Sequence, residues 1–185
     1  MSVLKSITDE YKRYKALAEA AIGQLPDEDL ARLGPAGGNS IDMLIRHVAG
    51  NLKSRFSDFR TSDGEKPWRR RDDEFEAASW SRAELMAFWE EAWAIVLDEV
   101  GKLRDTDLGE TVTVRRQPLR IDEALHRSLA HTAYHVGQIV YLAKEMRGES
   151  WRTLSIAKGK SEEYNQKAVR ETATAHTEML NQRRP

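Results

Sequence analysis

Four stretches of this 185-residue chain carry an apolar or aromatic residue at every third or fourth position, the periodicity of a helix that buries one face. The first is Leu4, Ile7, Tyr11, Tyr14, Ala18, Ala21 and Leu25, closed by Pro26 and the acidic turn Asp27-Glu28-Asp29. After the loop Gly34-Pro35-Ala36-Gly37-Gly38, Asn39 or Ser40 can cap a second helix. It runs Ile41, Leu44, Ile45, Val48, Leu52, Phe56 and Phe59 and stops near Ser62-Asp63-Gly64. A third begins at Ser81, with Glu84 three residues on as a capping box, and presents Leu85, Phe88, Trp89, Ala92, Trp93, Val96, Val100 and Leu103. The fourth is expected from Asp122 to about Arg147, its inner line Leu125, Ser128, Leu129, Thr132, Val136, Ile139, Val140 and Ala143, with Gly148 as its end. Helices of roughly 20–26 residues at about 1.5 Å per residue are matched in length, which favours a four-helix bundle.

The segments between them are less regular. Asp63 to Ser79 is charged and aperiodic, an ordered loop too long for a plain helical hairpin; loops of that size cross a bundle end or carry function. Thr111-Val112-Thr113-Val114 and Leu119-Arg120-Ile121 flank Arg115-Arg116-Gln117-Pro118, the pattern of a short β-ribbon before the fourth helix. The tail from Ser150 reads as one extra, weakly apolar helix whose last residues, Asn181 to Pro185, fray. The expected fold is therefore all-α, a single domain over residues 1–185 with its core in about 3–168.

Composition narrows the classes of function. Hydrophobic residues make up 40% and charged residues 32%, and no apolar run approaches the ~20 residues that span a bilayer. Met1 to Glu10 shows no hydrophobic signal-peptide core, so the cytoplasm is the expected location and no membrane partner is expected. A net charge of −1 draws in no nucleic acid, and Arg115, Arg116 and Arg120 around the ribbon lack the neighbouring aromatics of a nucleic-acid patch. With no cysteine, the chain has no disulfide, no thiolate zinc site, no iron–sulfur cluster and no cysteine nucleophile. Its five histidines are the remaining soft metal ligands apart from methionine.

His131 and His135 are four residues apart, so both project from one face of the fourth helix. On the second helix His47 begins a line with Asn51 and Arg55; on the fourth, Ser128, His131, His135 and Gln138 form the facing line. Two polar stripes on apolar helices are expected to meet inside the bundle, since each is costly to bury alone. A divalent cation satisfies three imidazoles together and, with an open position, forms the usual catalytic zinc arrangement; a hydrogen-bonded core pair or surface histidines is the competing reading. His126 falls on the other side of the helix and His176 lies in the polar tail, both expected to be solvated. In the loop, Asp72 or Glu74 can move a proton while Arg69 and Arg71, with Arg55, hold a carboxylate or phosphate. The same residues also suit an ion-paired loop anchored by Trp68 and Phe75. Asn51 and Gln138 are candidates to orient ligands or solvent.

Taken together, several strings resemble the DinB/YfiT-like superfamily of metal-binding four-helix bundles, most closely a branch of unknown function. They are Asn39-Ser40, His47 to Phe56, Asp63 to Trp68 with Arg71-Asp72, His131 to Ile139, and Trp151 to Ile156 followed by Gly159-Lys160-Ser161. The resemblance implies a site of His47, His131 and His135 near one bundle end, holding zinc or nickel, and a homodimer. Relatives in the superfamily are similar to thiol transferases and isomerases that use a low-molecular-weight thiol. It thus implies a metal-dependent enzyme acting on a small molecule by activating a thiol or water, with no catalytic residue assigned. Since the chain lacks cysteine, any sulfur would arrive with that small thiol. The alternative is a non-catalytic helical dimerisation or binding module with a structural or vestigial metal, in which Phe88, Trp89 and Trp93 supply a helix-to-helix interface.

Overall fold

The computed structural model describes residues 2–166 and 171–183. Its helices are α1 (Val3–Ile22), α2 (Ile41–Phe56), α3 (Arg82–Gly101), α4 (Ile121–Arg147), α5 (Ser161–Gln166) and α6 (Ala173–Gln182), and the strands β1 (Thr111–Val114) and β2 (Gln117–Arg120) precede α4. The architecture is mostly α with a short ribbon, as the periodicity predicts.

Capping explains the helix starts. Ser2 accepts the Lys5 N–H at 3.2 Å, and Asp105 accepts from the Val3 and Leu4 N–H groups, both at 3.1 Å, which satisfies donors that a helix start leaves open. Ser40, rather than Asn39, caps α2 through the Met43 N–H at 3.2 Å. Ser81 and Glu84 form the expected capping box. Two helices end earlier than their apolar pattern. Leu25 is buried in a turn after α1, and Phe59 stays buried beyond α2, which ends where Ser57 turns extended and Asp58 follows at φ of 50°. Gly148, at φ 52°, closes α4 where a side chain would be strained.

α2 packs on α3 and α4, and α1 packs on α4 and α3, so the four long helices close a ring. Inside it Tyr11 meets Phe56 and Trp93 edge-on at 6.1 Å each, and Trp89 meets Trp93 at 5.5 Å. Trp89 and Trp93 are fully buried and Phe88 packs partly buried against Trp80. The aromatic line of α3, expected as a possible interface with a partner, is therefore used up by the monomer's own core. The indole N–H of Trp89 donates to Glu19 at 3.1 Å, which explains a buried acid on the inner face of α1.

The tail holds two helices where one was expected. α6 lies against α1 with Leu180 fully buried, and Asn181 and Gln182, expected to fray, form its last turn. His176 is not solvated as expected: its Nε2 lies 3.0 Å from the Leu154 carbonyl. The expected core limit at 168 and the fraying of 184–185 lie outside the described residues. Among the described residues no helix is long and apolar enough to cross a membrane.

The loop Asp63 to Ser79, expected to be irregular, contains a 3-10 turn, Asp72–Phe75. Arg46 fixes it to α2: the guanidinium pairs with Asp42 at 2.5 Å and donates to the Asp73 and Glu76 carbonyls at 2.8 and 2.6 Å. The ribbon pairs Val112 with Leu119 and turns at Arg115-Arg116, both at positive φ. A two-residue hairpin demands that conformation, and Asn-Gly adopts it more readily than Arg-Arg. Asp63 compensates by accepting both turn N–H groups, at 2.8 and 2.7 Å, and so joins the long loop to the ribbon.

Candidate metal centre

His47 projects from the middle of α2, and His131 and His135 from successive turns of α4. One nitrogen from each lies within 4.8 Å of the others. The ring of His47 sits 4.7 Å from that of His135 and 5.1 Å from that of His131, and its Nε2 faces the His131 Nε2 at 3.2 Å.

The hydrogen bonds behind the rings decide where their lone pairs point. His47 Nδ1 lies 2.8 Å from Glu74 Oε2, an acceptor, so the ring's proton sits on Nδ1 and the Nε2 lone pair faces inward. Gln138 Oε1 does the same for His135 Nδ1 at 2.7 Å, when oriented as here. His131 is different, because its Nδ1 is buried with no hydrogen-bond partner. Among protein groups alone, His131 would donate from Nε2 to His47 and bury a bare Nδ1 lone pair. With a cation between the rings, both Nε2 lone pairs are used. Carboxylate and amide acceptors behind imidazoles are the usual outer support of a metal site, so the donor set fits a cation.

Electrostatics favour the neutral rings that ligation requires. Burial, then the neighbouring His135 and His47 and the cations Arg69 and Arg55, push His131 down to about 3. Burial also lowers His135, against the Gln138 hydrogen bond. Burial alone would raise Glu74; the His47 N–H and the Arg69 guanidinium overcome it and hold the carboxyl below its ordinary value. Arg69 grips Glu74 as a fork, Nε to Oε1 at 2.8 Å and Nη2 to Oε2 at 2.9 Å. The chain of support therefore runs from Arg46 through the 3-10 turn to Glu74 and on to His47.

A cavity of about 290 Å³ opens beside the histidines. Asn51, Arg55, Arg69 and Arg71 line it together with the three rings. The Phe75 ring lies tilted 4.7 Å from that of His47, with the Arg71 guanidinium 5.1 Å from the Phe75 ring centre. Glu74 and Gln138 stand behind the histidines as supports. Asp72 is 96% exposed, touches Arg71 at 3.4 Å and does not line the cavity. His126 is exposed on the other side of α4.

Gly50, Arg127 and Phe56 are among the contributors not singled out as site residues from the sequence. Gly50, one turn after His47, leaves room for Glu74: a Cβ there would meet Oε1 at 2.3 Å. An isolated glycine inside an apolar helix is the signal that could have found it. Arg127, four residues before His131 on the same face, and Phe56 also line the cavity, as their helical spacing allows.

The family model described as "Protein of unknown function (DUF1572)" matches residues 1–160. No curated protein and no solved structure gives a match. With six-sevenths of the sequence under that match, the chain belongs to the DUF1572 family.

Proposed function

We propose that the protein is a metal-dependent enzyme in which His47, His131 and His135 hold one divalent ion, zinc or nickel. The observation that carries this reading is the convergence of three imidazole nitrogens within 4.8 Å, with Nδ1 of His47 and His135 each held by an acceptor behind the ring. The resemblance to DinB/YfiT-like bundles supports the same ligand set.

Three protein ligands leave positions open, and such an ion supplies Lewis acidity that makes a bound thiol or water nucleophilic near neutral pH. Glu74 fixes the His47 tautomer and, gripped by Arg69, cannot swing into the cavity. Gln138 orients His135, while Phe75 covers one face of His47 and limits access of water there. Asn51, half-buried on the wall, is placed to orient a ligand.

A homodimer belongs to the same proposal. Tyr134 and Tyr141, two turns apart on the outer face of α4, are 64% and 65% exposed, an aromatic pair suited to a second copy. Light scattering reads the oligomeric state directly.

The test is elemental analysis of protein purified without added metal. One ion per chain is expected, lost in His131→Ala with an unchanged helical circular dichroism spectrum. The metal-loaded wild type, and not the variant, should transfer a small thiol to an electrophile or hydrolyse an activated ester. A wild-type chain that takes up neither zinc nor nickel would overturn the reading.

A further inference from the structure

The cavity beside the histidines is at the small end of the range for small-molecule sites, roughly 300–1,000 Å³. Five arginines line it, Arg55, Arg69, Arg71, Arg115 and Arg127, while among the described residues no aspartate, glutamate or lysine does. The acids that pair with these arginines stand behind the wall. Glu65 serves both Arg55, at 3.2 Å, and Arg115, at 2.8 Å, and Glu74 serves Arg69. Asp72 reaches Arg71 only from its solvent-exposed position, and among the described residues no acid pairs with Arg127. Positive charge on the wall therefore exceeds the negative charge that backs it.

Arg69 adds a spare donor to this excess. Its side chain is 2% exposed, Glu74 occupies Nε and Nη2, and Nη1 is buried without a hydrogen-bond partner. A buried unpaired N–H is costly, so an acceptor brought to Arg69 would offset that cost. Arg55 feels the crowding: burial, with Arg69 and Arg115 adding to it against Glu65, pushes its guanidinium below the ordinary value. Apolar side chains also line the cavity, those of Phe56, Phe59, Val114 and Leu119 among them.

We infer that this cavity takes a small molecule bearing an oxyanion, a carboxylate or a phosphate, received by Arg55, Arg69 and Arg127. The planar arginine fork matches both groups, and a wall built of arginine without lysine suits that recognition better than diffuse attraction. The apolar lining residues take the rest of the molecule, and the small volume excludes a nucleic-acid strand. As a statement of substrate class the inference rests on the metal-enzyme reading, but the anion site itself needs only the arginines.

Calorimetric titration of metal-free protein at low salt with inorganic phosphate, with succinate and with uncharged glycerol tests it. At least one anion should bind with a Kd of about 1 mM or tighter, and glycerol should not. Arg127→Gln and Arg55→Gln should each weaken binding tenfold or more. Arg32→Gln, an exposed arginine paired with Asp29 outside the cavity, should leave it unchanged. Binding of phosphate alone identifies a phosphate ester, and binding of succinate alone a carboxylate. No binding of either anion, or equal loss in Arg32→Gln, overturns the inference. Arg127 is exposed and has no paired acid, so its variant carries the test even if Arg55→Gln fails to fold. Wild-type protein separates the two readings: anion binding without metal uptake sinks only the metal, and metal uptake without anion binding sinks only this site.

Discussion

At Gly50 a hydrogen atom stands where any other residue would bring a β-carbon into collision with Glu74 Oε1. Gly50→Ala should therefore push the carboxylate off His47 while the helix itself gains propensity. The expected result is a fall of about 10–100-fold in metal affinity, the usual loss when a ligand's outer support is removed, read by competition with a chelator. Glu74→Gln should give a loss of similar size. At this scale the sequence was partly legible. His131 and His135 declare themselves by their spacing, and Gln138 follows three residues later on the same face. Glu74 could be read only as one acid among several in a charged loop. What singles it out is the grip of Arg69 and the seat above Gly50, and both depend on where Arg46 pins the loop.

Among the elements, the ribbon has the most unusual chemistry, because its turn places Arg115 and Arg116 at φ of 53° and 62°. A left-handed conformation costs an ordinary residue roughly 1–2 kcal/mol. Arg116→Gly should then stabilise the protein by up to about 1 kcal/mol, visible as a higher denaturation midpoint, since Gly takes that conformation freely. Asp63 accepts three N–H groups, those of Glu65, Arg115 and Arg116, and these hold its carboxyl below its ordinary value. The sign follows: a depressed folded value contributes stability above the unfolded carboxylate range, and that stability is lost as pH falls through the folded value. Acid melts of Asp63→Asn should show a shallower loss below the ordinary carboxylate range than the wild type does. The helices were legible because burial repeats with helical period. Their ends at Ile22 and Phe56 were not, since Leu25 and Phe59 stay in the core through turns that prolong the apolar pattern without helix. The ribbon was legible from its β-branched run, but its clasp to Asp63 joins residues 52 and 53 positions apart.

On the scale of the whole molecule, the core and the candidate site meet at Phe56, Phe59 and Ala124. Tyr11, Trp89 and Trp93 pack on one another inside the bundle, so chelation should lower the urea midpoint without abolishing a cooperative transition. Leu180→Ala should cost about 2–5 kcal/mol, because it empties the buried contact that docks α6 on α1. Denaturation followed by circular dichroism reads both. That docking was not legible, as the tail's apolar residues are sparse and only α1 shows what they meet. The histidine cluster joins α2 to α4 across 84 positions of chain. An ion there acts as a cross-link: it closes a long loop in the unfolded chain and removes entropy from it, by up to about 4–5 kcal/mol on the estimate used for disulfides. A protein without cysteine would thus own a staple that acid or a chelator can open and neutral pH can close again.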